Sequence, residues 1–174
     1  PLLTSDGAVA EAMEIAKSAS RPVVIADTQD NPGCGGTGDT TGLLKSLVNA
    51  GAKGAVLGVL TDAEVAEAAH NAGEGATITV SLGGKAEIDD VTPFTGTFTV
   101  TKLSDGEFMC TGPCIRGRTL DMGLTALLTI DGVSIVIASK RIQAYDQDIF
   151  RHVGVEPSEW QILVLKSTCH FRAD

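Results

Sequence analysis

Apolar and polar positions follow two different rhythms along the chain. Over residues 5–19, SDGAVAEAMEIAKSA, Val9, Ala12, Met13 and Ala16 recur at helical spacing, and Ser5 or Asp6 can cap the start. RPVVIAD (21–27) is a short β-branched run of the kind found in buried strands. After a glycine-rich stretch, Asp39 or Thr40 can cap a helix through Leu43, Leu44, Leu47 and Val48 to Gly51. AKGAVLGVL (52–60) is a second apolar strand, and Thr61-Asp62-Ala63-Glu64 reads as a capping box for a helix to about Asn71, closed by Gly73. Strand, loop, helix, strand, helix is the order of parallel α/β architecture.

The rhythm then shortens to period two. ATITVSL (76–82) and FTGTFTV (94–100) alternate as half-exposed antiparallel strands do. LTALLTI (124–130) and VSIVIAS (133–139) flank Asp131-Gly132, a two-residue hairpin signal. Residues 83–92 read as a loop and 102–120 as an irregular connection or ragged hairpin. Asp146 can cap a helix through Ile149, Phe150 and Val153 to Gly154, and WQILVLK (160–166) is the last strand. The expected fold is α/β, a mixed sheet with flanking helices and an antiparallel β-rich middle section. A single domain spans 1–174, with α/β parts at about 1–73 and 133–174 around a β-rich section at about 74–132.

Composition narrows the function classes. The 174 residues suffice for one domain with a sizeable core; 43% are hydrophobic and only 4% aromatic, so Val, Ile, Leu and Ala must build it. A net charge of -9, with no run of basic residues, argues against nucleic acid and anionic membrane surfaces as partners. No apolar stretch approaches the roughly 20 residues of a membrane span. Cys34, Cys110, Cys114 and Cys169 are too scattered for a disulfide framework and read as reduced thiols of a cytoplasmic protein. Cys110 and Cys114 lack the second close pair of a zinc ribbon, and His70, His152 and His170 are dispersed, so no metal site is expected within the chain. A chain that opens on Pro1 rather than Met reads as a piece of something longer.

The candidate chemistry lies in ADTQDNPGCGGTGDTTGLLKSL (26–47). Gly33, Gly35 and Gly38 have G-x-G-x-x-G spacing, and Gly33 with Gly38 also matches a P-loop whose lysine is replaced by Asp39. That reversed charge repels a polyphosphate. A dinucleotide fingerprint places its first glycine almost directly after the strand, whereas Thr28 to Pro32 intervene here. A dinucleotide site is left as a third, weaker reading, and two others stand ahead of it. The glycines either permit a tight turn over a helix terminus, or the loop is functional, since strand and helix can be joined by a far shorter link. In the functional reading, exposed backbone N–H groups of Gly33, Gly35, Gly36 and Gly38, with Asp30, Asn31, Asp39 and Thr40, meet a carbonyl or carboxylate of a small substrate.

KSTCHFRAD (166–174) follows the last strand, where α/β proteins place binding residues. In extended geometry Lys166, Thr168, His170 and Arg172 share one face. Such groups can stabilise an oxyanion or hold a carboxylate; the plainer alternative is a solvated Lys166 and Arg172, with His170 satisfying a carbonyl. His70 and His152 fall at helix C-termini and read as structural. Cys34 has no activating neighbour in sequence, and Asp89-Asp90 and Asp146/Asp148 read as a solvated loop and a cap.

RPVVIADTQDNPGCGGTGDTT, SLGGK, SKRIQAYDQDIFRHVGVEP and LVLKSTCHFRAD, in this order, resemble the C-terminal domain of microcystinase C (MlrC)-like proteins. The resemblance covers nearly the whole chain and is densest at 21–42 and 133–173. It implies a zinc-dependent hydrolase of peptide or amide bonds whose metal ligands lie on an N-terminal domain that this chain lacks. The chain's partners are then its own N-terminal metal-binding domain and a small peptide or amide substrate, with a homo-oligomer as a further possibility. The resemblance assigns the 30–40 loop to substrate and Lys166, His170 and Arg172 to auxiliary catalysis. A non-catalytic small-molecule-binding or assembly domain is the alternative.

Overall fold

The computed structural model describes residues 2–173. Helix α1 (Ser5–Ala16) precedes strand β1 (Val23–Ala26), α2 (Gly42–Asn49), β2 (Ala55–Thr61) and α3 (Ala63–Ala72). Strands β3 (Thr77–Leu82), β4 (Phe94–Ser104), β5 (Glu107–Met109), β6 (Thr119–Asp121), β7 (Thr125–Ile130) and β8 (Val133–Ala138) follow. The chain closes through α4 (Asp148–Arg151) and β9 (Ile162–Leu165), then a short 3-10 turn at His170–Ala173.

One 7-stranded mixed sheet, in the order β1-β9-β2-β8-β7-β4-β3, unites the α/β parts and the β-rich section. Strands β1, β9, β2 and β8 run parallel, while β7, β4 and β3 complete it antiparallel. The ragged segment forms a separate hairpin, β5-β6. Asp131 (φ 49) and Gly132 (φ 87) make the turn expected between β7 and β8.

Two apolar layers sandwich the sheet. On one face Ile25, Leu57, Ile135, Ile137 and Val164 pack with Val9, Ala12, Leu44, Leu47, Val65 and Ala69 of α1, α2 and α3. On the other, Val56, Val59, Val136, Leu163 and Leu165 pack with Ile149, Phe150 and Val153. A register shift in β2, where Leu57 pairs with Ile135 but Leu60 with Ile137, inserts an extra residue near the strand's carboxyl end. No helix among the described residues is long and apolar enough to cross a membrane.

Several local expectations are corrected. Thr4 caps α1, accepting from Gly7 N, rather than Ser5 or Asp6. The cap of α3 is Asp62, which accepts from Val65 N; Thr61 stays in β2, Asp62 N donates to Ala138 O and Glu64 pairs with Lys85, so the expected capping box does not form. Neither Asp39 nor Thr40 caps α2: its N-cap is Thr41, without a side-chain bond. Asp146 stands outside α4, where it accepts from Asp148 N through Oδ1 and from Gly112 N through Oδ2. Strand β1 is an edge strand with Val24 39% exposed, not a buried one, because β9 takes the position between it and β2.

Candidate functional site

The carboxyl ends of β1, β9 and β2 meet beneath the glycine-rich loop. Asp27 N donates to Leu165 O and Thr61 N to Gly38 O, so the loop is tied to the ends of β9 and β2, while Lys166 N donates to Gly58 O and joins those two strands. This is the sheet edge at which open α/β folds place their ligands.

At its centre the loop closes around its own aspartate. Asp30 is 2% exposed; its Oδ1 accepts from Gly38 N at 2.7 Å, and its Oδ2 from Thr40 N at 2.9 Å and Thr40 Oγ1 at 2.8 Å. Lys166, 1% exposed, donates to Asp30 Oδ2 at 2.7 Å, Asp27 Oδ2 at 3.1 Å and Thr40 Oγ1 at 2.9 Å. Its ammonium protons are thereby satisfied, which is the condition for keeping a buried charge. Backbone N–H groups and a lysine around an anion are the chemistry of a phosphate cradle, but here a carboxylate of the same chain fills it.

The N–H groups of residues 33–36 also turn inward. Gly33 N donates to Asn31 Oδ1, Cys34 N and Gly36 N to Asn31 O, and Gly35 N to Pro32 O. The expected outward display of backbone donors at Gly33, Gly35, Gly36 and Gly38 is therefore corrected: those donors hold the loop's shape. Gly38 (φ 76) sits in the left-handed region, and a Cβ there would lie 2.7 Å from Thr61 Oγ1. At Gly33 a Cβ would lie 1.6 Å from Gln143 Oε1, so this glycine is required by close approach. Gly35 ends the exposed turn Pro32–Cys34, and Gly36 O accepts from Arg141 Nη1 at 3.3 Å.

Asp39 is also buried. Its Oδ2 accepts from Lys85 N and Ala86 N, each at 2.8 Å, joining the loop to the SLGGK segment. Asn31, 2% exposed, donates through Nδ2 to Thr168 Oγ1 at 2.8 Å.

The segment after β9 does not continue as an extended strand, so the expected shared face of Lys166, Thr168, His170 and Arg172 does not form. Lys166 turns into the protein, while Thr168, Cys169, His170 and Arg172 are exposed around the turn. His170 Nδ1 lies 2.5 Å from Gln143 Nε2, which also donates to Ser167 Oγ at 3.1 Å. An amide nitrogen can only donate, so Nδ1 accepts in this contact, which leaves Nε2 on the exposed side to donate outward. Arg172 lies 5.6 Å from the centroid of its neighbour Phe171. Gln143, buried under Gly33, is the residue missed in the sequence; a lone glutamine after a strand gives no sign that it will be buried.

The titration of Asp30 has a direct consequence for stability. Burial by itself raises its pKa, but the charge and hydrogen bond of Lys166 and the N–H groups of Thr40 and Gly38 outweigh that and lower it to about 2. A carboxyl depressed in the folded state stabilises the fold above its unfolded pKa, and this contribution fades as pH falls through the folded value. From a starting value of 3.8, the contribution is about 2 kcal/mol. Denaturant unfolding between about pH 5 and pH 2 is expected to show it as a loss of stability that Asp30→Asn lacks. Parallel pH profiles for the two proteins would show that Asp30 is not its source.

Among the described residues, no group of three or more His, Cys, Asp or Glu side chains is placed to hold a metal ion. The carboxylates nearest the loop centre are engaged with Lys166 and backbone N–H groups. These residues do not fit a zinc centre.

Fold and site together define an α/β domain whose loop and C-terminal turn form one surface at the carboxyl ends of parallel strands. The chain belongs to the MlrC C-terminal family: the model described as "MlrC C-terminus" matches residues 25–174. Microcystinase C of a Sphingomonas species is 27% identical over 161 residues, which are 92% of this chain and 31% of that protein. A crystal structure from Mesorhizobium sp. BNC1, of a protein provisionally described as a metallopeptidase, has 28% identity and a TM-score of 0.84, covering 94% of this chain and 33% of that one. The chain thus spans about a third of the length of these relatives.

Proposed function

We propose that this chain is the substrate-facing C-terminal domain of a zinc-dependent hydrolase of peptide or amide bonds. The zinc ligands belong to a separate N-terminal domain of the intact protein. The observation that carries this reading is the rigid support beneath the exposed rim: Lys166 and Asp30 fix the glycine loop from below, and Gln143 fixes the tautomer of His170. Such preorganisation suits a surface that must meet a reacting group in one geometry.

In this reading His170 presents Nε2–H to the carbonyl oxygen of the scissile amide, where negative charge develops. Arg172 offers a cation to a substrate carboxylate. The loop tip from Gly33 to Gly36 shapes the wall, while Asp30, Asn31, Asp39 and Thr40 hold that wall in place. Lys166 serves the reaction through the loop. The cysteines are unpaired, which suits the reducing cytoplasm.

The intact protein is expected to hydrolyse short peptide amides, to lose that activity on chelation and to regain it with zinc. An intact, folded protein that binds small carboxylates but leaves a panel of peptide amides uncleaved with zinc present would instead support the binding-domain alternative.

A further inference from the structure

The two edges of the sheet are guarded differently. Strand β1 is short, and Pro22 immediately precedes it. Strand β3, TITVSL, is longer and carries no charge and no proline. It is paired continuously with β4 from Thr77 to Leu82 without a bulge. Natural edge strands usually carry one of these devices against pairing with another chain, and β3 has none.

The direction of its free backbone groups follows from the ladder. Val100 N donates to Ala76 O, and Ala76 stands opposite Val100 if the β3-β4 register is continued by one step. In an antiparallel pair, hydrogen-bonded and non-bonded positions alternate. Even-numbered residues of β3 therefore bond to β4, while Thr77, Thr79 and Ser81 direct their N–H and C=O groups to the open edge. All three residues are exposed. Their hydroxyls continue a ladder onto β4, with Thr79 Oγ1 2.9 Å from Thr97 Oγ1 and Ser81 Oγ 2.7 Å from Thr95 Oγ1.

We propose that the β3 edge pairs with the β3 edge of a second copy of this chain, antiparallel about a two-fold axis through Thr79. In that register Thr79 faces the second copy's Thr79, and Thr77 faces its Ser81. Each outward N–H and C=O group of these residues then finds a partner. Ile78 comes opposite Val80 on the inner face, where both are only partly buried against the core, so pairing covers the apolar surface they still show. Shifting the register by one residue sets exposed hydroxyl positions against inward ones and loses this match.

Charge favours the antiparallel sense. One end of β3 carries Glu74, bridged to Lys102 at 2.8 Å. The other carries Lys85, bridged to Asp62 at 2.8 Å and Glu64 at 2.5 Å. A parallel pair would set the Asp62–Glu64–Lys85 group, with its excess carboxylate, against its own copy, whereas antiparallel pairing sets it against the balanced Glu74–Lys102 pair. A C2 contact of this kind makes one continuous sheet through both molecules.

Sedimentation velocity of the intact protein is expected to give twice the mass of one chain. Thr79→Lys places two ammonium groups across the axis and is expected to return the monomer, with circular dichroism confirming that the fold is kept. Thr79→Cys provides a second test, because Cα atoms of a hydrogen-bonded antiparallel pair lie about 5.5 Å apart, within disulfide range. Mild oxidation should then yield a covalent dimer that peptide mapping assigns to a 79–79 link, whereas Thr97→Cys should not. A wild-type monomer overturns the proposal, whether the amides of residues 77–81 exchange fast or are protected by another part of the same chain. A dimer that withstands Thr79→Lys and forms no 79–79 link overturns it equally.

Discussion

Lys166→Met is expected to destabilise the fold by about 3–5 kcal/mol, the cost of removing one partner from a buried ion pair. Methionine fills a similar volume, so the loss reports charge rather than a cavity. Asp27 and Asp30 would be left facing each other without a cation, and Thr40 Oγ1 would lose its donor. The N–H groups of Gly38 and Thr40 still reach Asp30, which places the effect toward the lower end of that range. Urea unfolding measures it, and adding Asp30→Asn to Lys166→Met should recover part of the loss by removing one uncompensated carboxylate. A change below about 1 kcal/mol, the scale of an exposed pair, would mean that the ammonium does not hold the loop.

On the proposed hydrolytic reading, His170→Ala in the intact protein should leave stability nearly unchanged, because the ring is exposed, yet lower kcat by about 10²–10³-fold. That is the range for removing one donor from an oxyanion site. KM should move far less, since a group that acts on charge developing in the transition state adds little to ground-state binding. Gln143→Ala should lower kcat by a smaller factor, because the imidazole remains while its tautomer is released. Retention of kcat within about threefold in His170→Ala would remove this residue from the chemistry, since a single catalytic donor is worth far more. A large rise in KM at constant kcat would make it a binding group only.

The fold was legible where one physical rule dominates. Period two exposed the antiparallel strands, Asp131-Gly132 marked the hairpin, and runs such as AKGAVLGVL marked strands buried on both faces. What the rhythm does not carry is order across the sheet. Strand β9 lies between β1 and β2, and nothing in WQILVLK announces that neighbour. The exposure of β1 was misread for the same reason.

The candidate site was legible as a place rather than as a mechanism. Glycine spacing and the basic residues after β9 pointed to two segments, and the structure brings those segments together. Their roles depend on contacts between residues distant in sequence. Whether Lys166 points outward or inward is decided by Asp27 and Asp30, and whether the loop's N–H groups face solvent is decided by the same aspartate. Charge count alone suggested a cradle for an external ligand with the wrong sign for phosphate. The acidic residue is the resident anion, which explains why carboxylates and glycines occur together there.

Strand β9 comes last among the strands, and Lys166 follows it directly, 136 residues after its partner Asp30. A growing chain on the ribosome therefore exposes β1, the glycine loop and β2 long before the strand that separates them has been made. Until it arrives, the loop has neither its cation nor its floor, and a message cut short just before the codons for β9 would yield a product with the correct loop sequence and no organised site. Such a product should be a substrate for cellular proteases rather than a partly organised domain.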